Sequence, residues 1–212
     1  MSTTQQVTQE YEEYERVYDD SRIVNVTDEM LEEAQEQELI HEGSDTSRST
    51  QEKNIHRASG YLGEIAFCKL LEQSNSLSYV HKGGKTEPDM VVWKNLGYNS
   101  VAVDVKTRLA IQKFKSDCIV KDDVVGGLHD RYVLCRIIWS DDVTEDDDVY
   151  SVSVDDIEAI EFGGWFNDDD VEMHGYEPNF ATMHGKPNQN NRKNLLLEKE
   201  LARRLEYFGC DL

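Results

Sequence analysis

Nowhere in this 212-residue chain does an apolar run approach the ~20 residues that a helix needs to cross a bilayer. The opening residues, Met1-Ser2-Thr3-Thr4-Gln5-Gln6, have neither the basic region nor the apolar core of a secretory leader. The expected location is therefore intracellular. Cysteine is scarce and scattered. Cys68, Cys118, Cys135 and Cys210 form no C-x-x-C pair, and none has a Cys or His partner at ligand spacing. This excludes a disulfide framework and a structural zinc site, and leaves small core residues as the reading.

Two hydrolase signatures are also missing. There is no Gly-x-Ser-x-Gly, so a serine nucleophile on a strand-to-helix elbow is not indicated. Gly83-Gly84-Lys85-Thr86 has the form of the end of a phosphate-binding loop. That loop also needs a glycine five positions before Gly84, where Tyr79 stands, and a nucleotide triphosphatase is excluded on that ground.

Positive charge is the largest deficit. The chain has 43 acidic residues against 22 basic ones, a formal net charge of -21. At ordinary ionic strength such a surface repels polyanions. The acids are spread through the whole chain, with clusters at Asp146-Asp147-Asp148 and Asp168-Asp169-Asp170. This pattern suits concentrated salt, where the screening length falls to ~3 Å. A halophilic source is the expectation: circular dichroism should show the fold lost as salt is withdrawn, and a fold equally stable without salt would overturn it.

The length suits one domain with appendages. Residues 1–49 read as an acidic N-terminal extension. It carries one peripheral helix near Asp28 to His41, with Thr27 as its N-cap and a thin stripe of Met30, Leu31, Ala34 and Leu39. Gly43 to Ser49 reads as a linker, and residues 50–212 as the domain proper. There Thr50 can cap a helix from about Gln51 to Glu72. Tyr61, Leu62, Ile65, Ala66, Phe67, Leu70 and Leu71 make that helix apolar nearly all round, so it should be packed on several sides. Glu64 sits in its middle, where a carboxylate is costly unless something positive holds it.

Strands are expected at Leu77 to His81, Met90 to Trp93 and Ser100 to Leu109, the last two joined by a turn at Asn95 to Asn99. Tyr132 to Trp139 reads as a buried strand and Val149 to Val154 as a fifth. Leu195 to Phe208 reads as a closing amphipathic helix on Leu197, Leu201 and Leu205, ended by Gly209. The fold class is α/β.

Asp104 and Lys106 stand two apart on a strand and project from one face. If the preceding strand forms a hairpin with theirs, Asp89 lies across from Asp104, and Glu64 can join from the helix. In this order, Gly63-Glu64, Pro88-Asp89 and Asp104-Val105-Lys106 resemble the PD-(D/E)XK nuclease superfamily over roughly residues 50–140. Gly60 to Phe67 followed by Val105 to Arg108 resembles its viral and mobile-element members, which would place the protein in a host cytoplasm. The resemblance implies a restriction-endonuclease-like core, with a central mixed sheet of about four or five strands flanked by helices. It also implies Mg²⁺ or Mn²⁺ held by Asp89, Asp104, the Val105 carbonyl and Glu64, with Lys106 completing the catalytic set. The implied activity is phosphodiester hydrolysis, with DNA as the partner.

Lys85, Thr107, Arg108 and Arg57 are candidate nucleic-acid contacts, with Lys82 beside Lys85. Glu87 is a lesser competitor for metal. The other readings are a non-catalytic nucleic-acid- or protein-binding module that keeps the fold, and a Holliday-junction resolvase, which would need a dimer that the sequence does not indicate.

Overall fold

The computed structural model describes residues 23–40, 50–82, 88–109, 118–121, 130–144, 147, 151–174, 194–197 and 208. Valine, isoleucine and aromatic residues crowd the strands, where branched and flat side chains pack well on a pleated surface. Six of these strands make one mixed sheet: β1 (Ile23–Asn25), β2 (Leu77–His81), β3 (Met90–Lys94), β4 (Ser100–Arg108), β6 (Arg131–Trp139) and β7 (Ile157–Asn167). Their order is β1-β7-β6-β4-β3-β2, with β4 and β6 parallel and every other pair antiparallel. A separate two-stranded sheet pairs β5 (Cys118–Lys121) with β8 (Asn194–Leu197). The helices are α1 (Asp28–Ile40), α2 (Thr50–Glu72) and the short α3 (Asp168–His174). Among the described residues no helix is long and apolar enough to cross a membrane.

The central helix α2 lies across one sheet face. Leu62, Ile65, Ala66 and Phe67 share a core with Val103 and Val105 of β4, Val133, Cys135 and Ile137 of β6, and Phe162 and Trp165 of β7. Alternation along β4 then sends Asp104, Lys106 and Arg108 to the opposite face. The segment ahead of residue 50 shares this core: Val24 of β1 and Met30 and Ala34 of α1 are buried in it. Thr27 caps α1 by accepting from the Met30 N–H at 3.3 Å. Cys68 and Cys135 are buried, and burial pushes the Cys68 thiol up to about 12, which makes it an inert core group.

Three expectations are corrected. The sheet has six strands rather than four or five, because β1 and β7 join it. β7 is obscured in the sequence by Gly163-Gly164. These glycines form a bulge opposite Leu134 and Cys135, where Gly164 takes a φ of 129°, and the alternation slips. Of the expected fifth strand at Val149 to Val154, the described residues 151–154 are not strand. Val154–Asp156 is a turn of 3-10 helix with a capping box: Ser153 Oγ accepts from the Asp155 N–H at 3.2 Å, and Asp156 Oδ2 accepts from the Ser153 N–H at 2.9 Å. Finally, Leu195 to Leu197 are not helical, since Asn194–Leu197 pairs as a strand with Cys118–Lys121. Three consecutive leucines satisfy either period, and tertiary pairing decides between them. The rest of that expected helix, residues 198–207, and the linker at 43–49 lie outside the described residues.

The β3–β4 turn is tight. Gly97 N–H donates to the Lys94 carbonyl at 2.8 Å, and Leu96 adopts a φ of 69°. Left-handed backbone costs a branched residue ~1 kcal/mol or more.

Candidate functional site

Residue pairing along the hairpin positions the acids. Met90 pairs with Val103, so Asp89, the residue before β3, arrives beside Asp104. Asp89 Oδ2 accepts from the Val105 N–H at 2.7 Å, and the Asp104 carboxylate is among the charges that act on it. Lys106 Nζ reaches Asp104 Oδ2 at 2.5 Å from two residues along the same strand. Glu64 comes from the middle of α2, only 8% exposed.

Helix and strand meet closely because Gly63 lacks a side chain. A Cβ there would collide with Thr107 Oγ1 and come within 3.0 Å of Cys135 Sγ. The parallel partner is locked at the other end of the strands. Asp130 Oδ2 accepts from the Ala102 N–H at 2.7 Å, while the Asp130 N–H donates to the Ala102 carbonyl at 2.8 Å.

Three carboxylates so grouped cannot all ionise comfortably. Burial, then the charge of Glu64, then that of Asp104 push Asp89 up to about 9, outweighing the opposing Val105 hydrogen bond. At neutral pH Asp89 therefore keeps its proton. Glu64 has its own partner, which sequence reasoning missed: His81 Nε2 lies 2.8 Å from Glu64 Oε2, and this hydrogen bond raises the imidazole above its ordinary value. The available signal was that His81 ends the strand opposite Met90, one residue from Asp89.

Among the described residues no three His, Cys, Asp or Glu groups are already arranged as a cage for an ion. The donor set nevertheless fits a hard divalent cation. Asp89 and Asp104 are neighbouring carboxylates with more negative charge nearby than Lys106 alone offsets, and an ion would replace the proton held on Asp89.

The candidate nucleic-acid contacts separate. Arg108 is half-buried and shares the Asp104–Lys106 face of β4. Lys82 is exposed beside the acids, its backbone N–H donating to the Asp89 carbonyl at 2.8 Å. Thr107 turns the other way: its hydroxyl lies 3.3 Å from Cys135 Sγ under α2, so it supports the helix and does not share the Asp104–Lys106 face. Arg57 is half-buried seven residues before Glu64, about 10 Å along the helix axis, and is not brought to the carboxylates. Lys85 and Glu87 lie outside the described residues.

No protein-family model matches the chain, and neither does any curated protein or solved structure.

Proposed function

We propose that this chain is a metal-dependent nuclease of the PD-(D/E)XK type, hydrolysing phosphodiester bonds of DNA on a restriction-endonuclease-like core. The observation that carries this reading is the placement of Asp89, on the Val105 N–H, beside Asp104, with Lys106 on Asp104 and the buried Glu64 carboxylate entering from α2. The mixed sheet supports it, since the antiparallel β2-β3-β4 meander that bears the acids follows α2 and continues into the parallel strand β6. Structural ion pairs rarely crowd three acids around one lysine and one histidine, because the uncompensated charge is expensive to bury.

Asp89, Asp104 and the Val105 carbonyl would hold Mg²⁺ or Mn²⁺, with Glu64 completing the set. When bound, such an ion supplies Lewis-acid polarisation of the phosphate and lowers the pKa of attacking water. The chain's own contribution is positional. Lys106, held by Asp104, presents its ammonium where negative charge builds on the phosphate, a stabilising role more than a proton-abstracting one. His81 keeps Glu64 oriented. Lys82 and Arg108 face the flanking phosphates.

The test is cleavage of linear, nicked, branched and single-stranded DNA with Mg²⁺ or Mn²⁺, at low and molar salt, by wild type, Asp104→Ala and Lys106→Ala. Metal-dependent cleavage lost in both variants is the expected result. Because the ion must displace a proton held until pH about 9, Mn²⁺ binding at neutral pH should release close to one proton and tighten as pH rises toward that value. A chain that neither binds Mn²⁺ nor cuts would instead be a non-catalytic module on the same fold.

A further inference from the structure

One charge interrupts the most apolar strand of the sheet. From Tyr132 to Trp139, β6 reads Tyr-Val-Leu-Cys-Arg-Ile-Ile-Trp, and Arg136 is the one charged side chain in that run. Its Nε donates to Glu161 Oε2 on β7. The strands β6 and β7 are already paired from Arg131 to Trp139, so the ion pair is not needed to join them. Replacing such a half-buried pair by apolar side chains of similar volume is often neutral or stabilising. Folding alone therefore gives no reason for a charge here.

The position of Arg136 does. It is the parallel partner of Arg108, and two residues earlier Leu134 is the partner of Lys106. Alternation puts Asp104, Lys106, Arg108 and Arg136 on one face of the sheet. From Lys106 to Arg136 is two residues along the strands and one strand across, about 8 Å at ~3.3 Å per residue and ~4.8 Å between strands. The part along the strand, about 7 Å, equals two nucleotide steps at the ~3.4 Å rise of each DNA strand. Within the ion pair the acid is the more buried member, with 10% of its side chain exposed against 23% for the arginine. Glu161 thus backs the guanidinium, which forms the outer side of the pair.

We propose that Arg136, oriented by Glu161 and flanked by Arg108, binds a backbone phosphate of the substrate strand about two nucleotides from the bond cut beside Asp104 and Lys106. The proposal rests on the nuclease reading of the Asp89–Asp104 site. A planar guanidinium matches two phosphate oxygens at once, and one held by a carboxylate on a central strand is already oriented for the contact. In a chain of net charge -21, the general field repels DNA, so phosphates must be held by cations fixed at the site.

The experiment measures fluorescence anisotropy of short labelled single-stranded and duplex DNA, with Ca²⁺ in place of Mg²⁺, across a salt series. The decisive protein is the double variant Arg136→Met/Glu161→Gln. It removes one charge of each sign, so net charge is unchanged and no buried acid is left without its base. Affinity should fall on the order of 10-fold at low salt, and the slope of log affinity against log salt should become shallower by about one. Arg136→Lys should keep the slope and lose a smaller factor of affinity, because an ammonium keeps the charge without the fork.

Wild-type affinity and slope in the double variant would overturn the proposal and leave a structural ion pair, whatever the melting temperature. A fall in affinity with no change of slope would overturn it too, since that marks a distorted site and not a lost phosphate contact. The nuclease reading fails separately. DNA bound with the expected dependence on Arg136 but never cut with Mg²⁺ or Mn²⁺ would remove the nuclease and keep the contact. DNA cut by a double variant of wild-type affinity and slope would do the reverse.

Discussion

Asp89→Asn is expected to stabilise the metal-free protein, by ~1–2 kcal/mol near pH 8, while lowering cleavage on the order of 10³-fold. The two effects share one cause. In the metal-free site the Asp89 carboxyl is held protonated to about 9 by burial and by Glu64 and Asp104. An unfolded Asp ionises near its ordinary 3.8. Between these values the folded chain binds the extra proton, so stability declines as pH rises.

His81 adds to the same trend. Its folded value lies above 6.5, so the stability it contributes is present below 6.5 and is lost as pH climbs through the raised value. Asparagine carries no ionisable proton. Its carbonyl oxygen can still accept from the Val105 N–H, and its amide can donate to Asp104. Thermal melts from pH about 4 to about 9 in a chelator should show wild type falling more steeply than the variant, and Mn²⁺ should raise the melting temperature of wild type alone. A variant no more stable than wild type at alkaline pH would mean that the carboxylates are not crowded.

The second large effect belongs to a residue with no chemistry. Gly63→Ala should cost ~2–4 kcal/mol and reduce metal affinity together with activity. The added methyl would strike Thr107 Oγ1, come to 3.0 Å from Cys135 Sγ and 3.2 Å from Thr107 Cβ, and face sheet on that side rather than a mobile side-chain end. The helix must move away from β4, and Glu64, the next residue, moves with it. Thr107→Ala removes the first obstacle, so a double-mutant cycle on chemical denaturation should show a coupling of about 1–2 kcal/mol. Strict additivity would mean that helix and strand do not touch there. Gly60 is the internal control, since nothing lies within 4 Å of a Cβ added at that position.

The part of the fold that surrounds the carboxylates was legible because its signals are local. The strand at Leu77–His81 was read to the residue, Met90–Lys94 and Ser100–Arg108 to within one, and the α2 helix to within one at its start. The two-residue offset of Asp104 and Lys106 was enough to place them together. What failed to show depends on contacts distant in sequence. The β7 strand hides behind a double glycine whose purpose, a bulge against β6, appears only when both strands are present. Asn194–Leu197 is a strand because Cys118–Lys121 is there to pair with it, although its leucines also fit a helical stripe. Thr107 reads as a candidate phosphate contact by its neighbourhood to Lys106, yet strand alternation alone sends consecutive residues to opposite faces, and its hydroxyl lies under the helix. His81 carried no motif; only the pairing of β2 with β3 brings it near the acids.

All four groups of the site, Glu64, Asp89, Asp104 and Lys106, come from one uninterrupted stretch of chain, and the described links among them, apart from the backing of β6, are made within it. The site is therefore modular in the chain's own order. Insertions or deletions beyond Arg108 that leave β6 and β7 intact can resize the connections that follow without changing the alignment of the reactive groups. Lengthening the chain between Glu64 and Lys106 by a single residue within a strand would invert the faces and scatter them. The tolerance of this protein to change in length is accordingly uneven, strict between Glu64 and Lys106 and within β6 and β7, and looser between those later strands.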